Sequence, residues 1–210
     1  MSGRRASIRA FVEDRRAASA AEFALVLPLL LLLILGTIDV GLYAWQLNRA
    51  EKSTQIGARW AVATDMIASG LQGYSFASSG GIPQGTVVSA SAFPGVTCQS
   101  SGAGASCTCA AGGSCAFPLT ASSTAFTALV NRMQQIDPHV SAANVVVTYG
   151  WSGLGFSGDP NGPDVAPLTT VSLRNMTYQP ISTAIFGVQV SLPTFAYTLT
   201  MEDGSGTVSN

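Results

Sequence analysis

An α+β fold with one long N-terminal membrane helix is predicted for this 210-residue chain from three features. An uncharged apolar run, Phe23 to Ile38, stands near the N-terminus. One later segment, Ser122 to Ile136, carries apolar residues at helical spacing. Several short β-branched segments are separated by Gly, Pro and Asp turns. The order helix, strand, helix, strands gives an α+β module rather than alternating βαβ units. Composition agrees: hydrophobic types make up 47% and charged types 10%, against roughly 25% charged in an average soluble domain. A net charge of −1 leaves no basic footprint, which excludes nucleic acid as a partner.

Five of the ten basic residues, Arg4, Arg5, Arg9, Arg15 and Arg16, precede the apolar run, and only Arg132 and Arg174 follow Arg59. The run centres on Leu29 to Leu35 and resumes after Asp39 through Leu47. At about 1.5 Å per residue, Phe23 to Leu47 makes a helix of roughly 37 Å, enough to cross a hydrocarbon core of about 30 Å with some tilt. A cleaved secretory signal would have a shorter core closed by a small-x-small site. Here the run leads instead into Leu42-Tyr43-Ala44-Trp45, aromatics suited to a membrane boundary. The expectation is a retained anchor, N-terminus in the cytoplasm by the positive-inside rule, with residues 50 to 210 outside.

Beyond the membrane, Ala50, Ser53, Gly57 and Ala61, with Ala58 and Val62 beside them, continue the helix to about Ile67 and offer a small-residue stripe on which a sheet can pack. Ser69 to Gly85 reads as a loop, and Thr86 to Phe93 alternates as a strand should. Pro94 to Pro118 is predicted to be a loop. In Ser122 to Ile136, Phe126, Leu129, Val130 and Met133 form the apolar face of a helix stopped by Asp137-Pro138. Three or four antiparallel strands then come from this module, with Asn144 to Trp151, Thr169 to Tyr178 and Phe195 to Glu202 as members. Pro180 to Phe186 is a short turn or helix between the last two.

The four cysteines, Cys98, Cys107, Cys109 and Cys115, lie in a segment too poor in large apolar residues to build a core, so two disulfides are expected. Joining Cys107 to Cys109 is sterically least attractive, which leaves Cys98 with Cys107 or Cys109 and Cys115 with the other. Their intervals of nine, two and six lack the paired Cys-x-x-Cys spacing of zinc sites, and no metal or cofactor is expected. Three other matches read as structure. Gly153 to Gly158 satisfies GxGxxG, but Asp159-Pro160-Asn161-Gly162-Pro163 follows where a phosphate-binding helix would have to begin. Asp159, Asn161 and Asp164 lack the twelve-residue calcium frame and its closing Glu. His139, the single histidine, has no nucleophile elbow.

Two carboxylates belong to the apolar run. Glu22 immediately precedes it, where an unpartnered carboxylate in lipid is costly but a helix N-terminus favours negative charge. Asp39 lies seventeen residues further on, about 25 Å along the axis, so the two cannot act as a catalytic pair. For Asp39 two readings stand: an intramembrane polar contact with a membrane partner, or a carboxylate at the outer interface.

Arg16-Ala17-Ala18-Ser19-Ala20-Ala21-Glu22-Phe23-Ala24-Leu25-Val26-Leu27-Pro28, then the Leu run, Gly36, Asp39 and Gly41, resembles the N-terminal signature of the TadE-like family. Its members are pseudopilins or minor pilins of the tight-adherence (Flp, type IVc) pilus system. The resemblance is specific over residues 15 to 60 and loose beyond them. It implies a pilin-like external module and cleavage by a prepilin peptidase between Ala17 and Ala18, although the family most often has Gly where Ala17 stands. It further implies that Glu22, as fifth residue of the mature chain, neutralises the N-terminal amine of a neighbouring subunit.

The organisation expected is a basic cytoplasmic leader at 1–17, a transmembrane helix at 18–48, its external continuation at 49–69 and an α+β domain at 70–210 with a Cys-bearing loop at 94–118. The function implied is assembly of a tight-adherence pilus, in contact with the membrane, prepilin peptidase, other pilins and pseudopilins of the system and the inner-membrane assembly platform. The rival is an uncleaved, membrane-anchored binding or adhesion module. Enzymatic activity is not expected, because from residue 66 onward titratable groups are too thinly spread to nominate a site.

Overall fold

The computed structural model describes residues 15–102, 104–201 and 204–207, with the side chains of 15–18 and 185 outside that description. Helix α1 (Arg15–Ala63) is followed by a short helix α2 (Ser69–Gln72), strands β1 (Val96–Ser100) and β2 (Ala105–Cys109), helix α3 (Ser123–Gln134), and strands β3 (Val145–Gly150), β4 (Leu168–Leu173), β5 (Thr177–Tyr178), β6 (Val190–Ser191) and β7 (Phe195–Thr200). The α+β class is as expected. The chain divides into two compact units, one of Met1–Trp45 with Tyr178–Val190 and one of Gln46–Thr177 with Ser191–Asn210.

The first unit contains the apolar part of α1. From Phe23 to Val40 most of its large side chains face outward, with Leu25 74% and Leu29 66% exposed. Pro28 lies inside the helix. Tyr43 meets Tyr178 edge-on at 5.7 Å between ring centroids, and a 3₁₀ turn at Ala184–Phe186 interrupts the segment that follows.

The second unit is built on a five-stranded antiparallel sheet in the order β2-β1-β3-β4-β7. Side chains alternate across its faces. Val96, Cys98, Val145, Val147, Tyr149, Val171 and Leu173 are opposite one another in register and buried. The other face carries threonines that bond across strands, Thr170 to Thr198 at 2.7 Å and Thr97 to Thr148 at 3.4 Å, the pattern of a sheet with one covered face. In α3, Phe126, Leu129, Val130 and Met133 are buried, and Ser122 caps its start by accepting the Ala125 N–H at 3.2 Å.

Five expectations need correction. Helix α1 ends at Ala63 rather than near Ile67. Its small-residue stripe receives α3: a side chain at Gly57 would fall 2.8 Å from Met133 Cγ and Sδ, and Ser53 Oγ donates to the Met133 carbonyl at 3.0 Å. Thr86 to Phe93 is not a strand. Val88 and Phe93 are buried, but the backbone of this stretch is held by Ser157, which accepts from Gly85 N–H and donates to the Thr86 carbonyl, both at 2.8 Å. The stretch 94–118 holds the β1–β2 hairpin, so the sheet gains the edge strand β2 and its neighbour β1 inside the presumed loop. The strand expected over Thr169 to Tyr178 breaks after Leu173, where Asn175 adopts φ 55° and Asn144 Nδ2 donates to the carbonyls of Arg174 and Asn175.

Candidate functional site

Helix formation over α1 follows from its many Ala, Leu and other good helix formers, which outweigh Gly36, Gly41 and Gly57, with Pro28 the one residue unable to donate. Among the described residues one helix is long and apolar enough to cross a membrane. Within the run Thr37 satisfies its own hydroxyl by donating to the Ile34 carbonyl at 2.8 Å. Glu22 is exposed at the N-terminal side of the run, and Ala17 and Ala18 lie in the helix's first turn. No geometry brings Glu22 and Asp39 together.

Asp39 is the most densely bonded group of this unit. Only 7% exposed, its carboxylate accepts the Ile181 N–H at 2.7 Å on Oδ1, and the Ser182 N–H at 2.9 Å and Ser182 Oγ–H at 2.5 Å on Oδ2. Tyr178 Oη donates to Oδ1 at 3.2 Å and lies 3.3 Å from the Asp39 carbonyl. The polar partner for this carboxylate is thus the chain's own segment 178–182. Charge-assisted bonds of this kind are the strong ones, and two of the donors are backbone N–H groups. The arrangement stores no reactive group: it holds a loop on a helix.

The second unit repeats that use of aspartate. Asp137, fully buried, accepts Gln46 Nε2 at 2.9 Å and the His139 N–H at 3.1 Å, with His139 Nδ1 3.0 Å away. Beside it Arg49 donates through Nε and Nη2 to the Ile136 carbonyl at 3.1 and 2.8 Å. Asp164 accepts the Phe76 N–H at 2.6 Å and the Asp159 N–H at 3.1 Å, while Asp159 accepts the Asn161 N–H at 2.9 Å. Asp159, Asn161 and Asp164 therefore brace a turn through their backbone amides, as Asx residues do. The loop Gly153 to Gly158 runs into this turn, with no helix after it.

Cys98 is bonded to Cys107 and Cys109 to Cys115, one of the two connectivities left open. The first bridge joins directly opposed residues of β1 and β2. No group of His, Cys, Asp or Glu able to hold a metal occurs among the described residues. A cleft of about 120 Å³ lined by Trp60, Asp65, Ser122 and Gly206 has its carboxylate committed to Gln72 Nε2 and the Gly206 N–H. Burial pushes the Tyr149 phenol upward.

Residues 17–59 match the family model described as TadE-like protein, about a fifth of the chain. The matched stretch coincides with the residues whose order carried the resemblance. No curated protein and no solved structure matches the chain.

Proposed function

We propose that this protein is a TadE-like pseudopilin or minor pilin that takes part in assembling a tight-adherence (type IVc) pilus. The observation that carries the reading is one helix with two properties. Its residues 17–59 fit the TadE-like model, and its large apolar side chains between Phe23 and Val40, Leu25, Leu29 and Leu33 among them, are left largely uncovered by the rest of the chain. Such a helix needs an apolar environment on all sides, from lipid at first and from equivalent helices in a filament afterwards.

In this reading the chain is a single-pass inner-membrane protein, N-terminus cytoplasmic and C-terminal domain periplasmic. Prepilin peptidase cuts between Ala17 and Ala18. The cut creates a new amine four residues ahead of Glu22, and Glu22 then neutralises the amine of a neighbouring subunit. In the low dielectric of a filament core such a pair is favoured far more than in water. Extraction from the bilayer exchanges lipid contacts for contacts with other pilins, guided by the inner-membrane platform. No catalytic or cofactor role is assigned to the chain.

The test is the N-terminal mass of the protein from native membranes, with and without the prepilin peptidase. A peptidase-dependent start at Ala18 is expected. An intact Met1 or Ser2 start in both strains overturns the pseudopilin reading in favour of a permanently anchored binding module.

A further inference from the structure

We infer that segment 179–190 is a second membrane-contacting element, a loop whose apolar tip enters the outer interfacial layer of the bilayer crossed by α1. The inference rests on the reading of α1 as a membrane span and adds a site that the family match at 17–59 does not reach. Three observations lead to it.

The first is depth. Asp39 lies sixteen residues beyond Phe23, so at 1.5 Å per residue it is about 24 Å along the helix, inside or at the edge of a hydrocarbon core about 30 Å thick. A carboxylate there needs partners, and all those described come from Tyr178, Ile181 and Ser182. The loop is therefore drawn to the level where the helix leaves the apolar layer. Tyr43 and Tyr178, packed edge to face, mark the same level, as aromatics do at membrane interfaces.

The second is what the loop presents. Ile181 is 52%, Phe186 75%, Val188 45% and Val190 38% exposed. Four large apolar side chains within ten residues make a poor water-facing loop but a good interfacial one. The third is charge. From Asn175 to Met201 no Asp, Glu, Lys or Arg occurs, so inserting this stretch into the headgroup boundary desolvates no ion. Its backbone bonds in part to itself, with Phe186 N–H on the Thr183 carbonyl at 2.9 Å and Gly187 N–H on the Ala184 carbonyl at 3.2 Å, which lowers the cost of shallow burial.

The test uses the full chain in phosphatidylethanolamine/phosphatidylglycerol vesicles. The described cysteines are all in disulfides, so an introduced thiol is the one available for an environment-sensitive fluorophore. Labels go on Phe186→Cys and, as a second probe of the loop, Val188→Cys. Leu32→Cys reports the span and the exposed Thr127→Cys reports water. The expected result is blue-shifted emission at 186 and 188, lost to lipids spin-labelled near the headgroup and insensitive to iodide, with Leu32→Cys quenched by deep-labelled lipids. Iodide quenching at 186 and 188 equal to that at 127, with 32 still lipid-quenched, overturns the loop insertion and leaves the span standing. Shielding from both quenchers that disappears when protein is diluted in lipid identifies a second copy as the cover and also overturns it. Iodide access at 32 removes the span itself and the inference with it.

Discussion

The phenolic oxygen of Tyr149 accepts the backbone N–H of Ile67 at 2.9 Å, and both residues are sealed from solvent. The bond ties the central strand of the sheet to the chain just beyond the end of α1. Because burial raises the phenol above its ordinary value of 10.0, the unfolded chain gives up this proton more readily than the folded one. The stability contribution is intact below pH 10 and is lost as pH climbs past it. Thermal unfolding followed from pH 8 to 11 should show a falling alkaline limb. Tyr149→Phe should flatten part of that limb and, by orphaning the Ile67 N–H, lower stability at pH 7 by about 1–3 kcal/mol.

Asp39→Ala should free the loop that the carboxylate holds. Amide exchange at Ile181 and Ser182, expected to be slow in the parent chain because both N–H groups donate to Asp39, should accelerate in the variant towards that of an open loop, while β3 and β4 amides keep their protection. Equal acceleration in the sheet would show that Asp39 supports the whole fold and is not a local clasp.

Two glycines with crowded surroundings should respond differently to alanine. At Gly57 the added methyl meets Met133 Cγ and Sδ at 2.8 Å, the adjustable end of a side chain. The gain of about 1 kcal/mol from removing a helix-interior glycine offsets that crowding. Gly57→Ala should therefore change stability little. At Gly70 the methyl would overlap the carbonyl of Pro118, which has no rotamer to change, and Gly70→Ala should cost about 1–3 kcal/mol or more. Paired melting temperatures check both.

Each disulfide closes a short loop, with sequence separations of nine and six. On the loop-entropy account each adds roughly 2.5 kcal/mol. Replacing Cys98 and Cys107 by Ala should lower stability by at least that amount, since both are buried in the sheet face. Denaturant midpoints of the double variant, against the parent with and without reductant, measure the loss.

Periodicity reached those parts of the fold whose burial is regular. The i, i+3, i+4 spacing of Phe126, Leu129, Val130 and Met133 and the Asp137-Pro138 stop located α3 within a residue or two. It misled at Thr86 to Phe93, where Val88 and Phe93 are buried by packing against loops and a ladder is absent. Strands β1 and β2 were hidden for the opposite reason. Apart from Val96 and Gln99 they are made of Thr, Ser, Ala and Cys, residues with little apolar contrast between faces, and the Cys98–Cys107 bond supplies part of the cross-strand adhesion that larger side chains would otherwise give. At the site, the apolar run, Glu22 and Asp39 were visible because charge is conspicuous beside leucines. The clasp on Asp39 was not. Its closest nitrogen donors are the backbone amides of Ile181 and Ser182, more than 140 positions away, and a backbone N–H has no residue-type signature.

The order of the cysteines bears on how the chain matures. First pairs with second and third with fourth, the pattern that arises when thiols are oxidised in the sequence in which a translocating chain presents them. Neither bond has to wait for a distant partner, and no wrongly joined intermediate has to be undone. On the proposed export of this domain, an oxidant alone is expected to reach the native pairing without a reshuffling catalyst, locking the β1–β2 hairpin before β3, β4 and β7 complete the sheet.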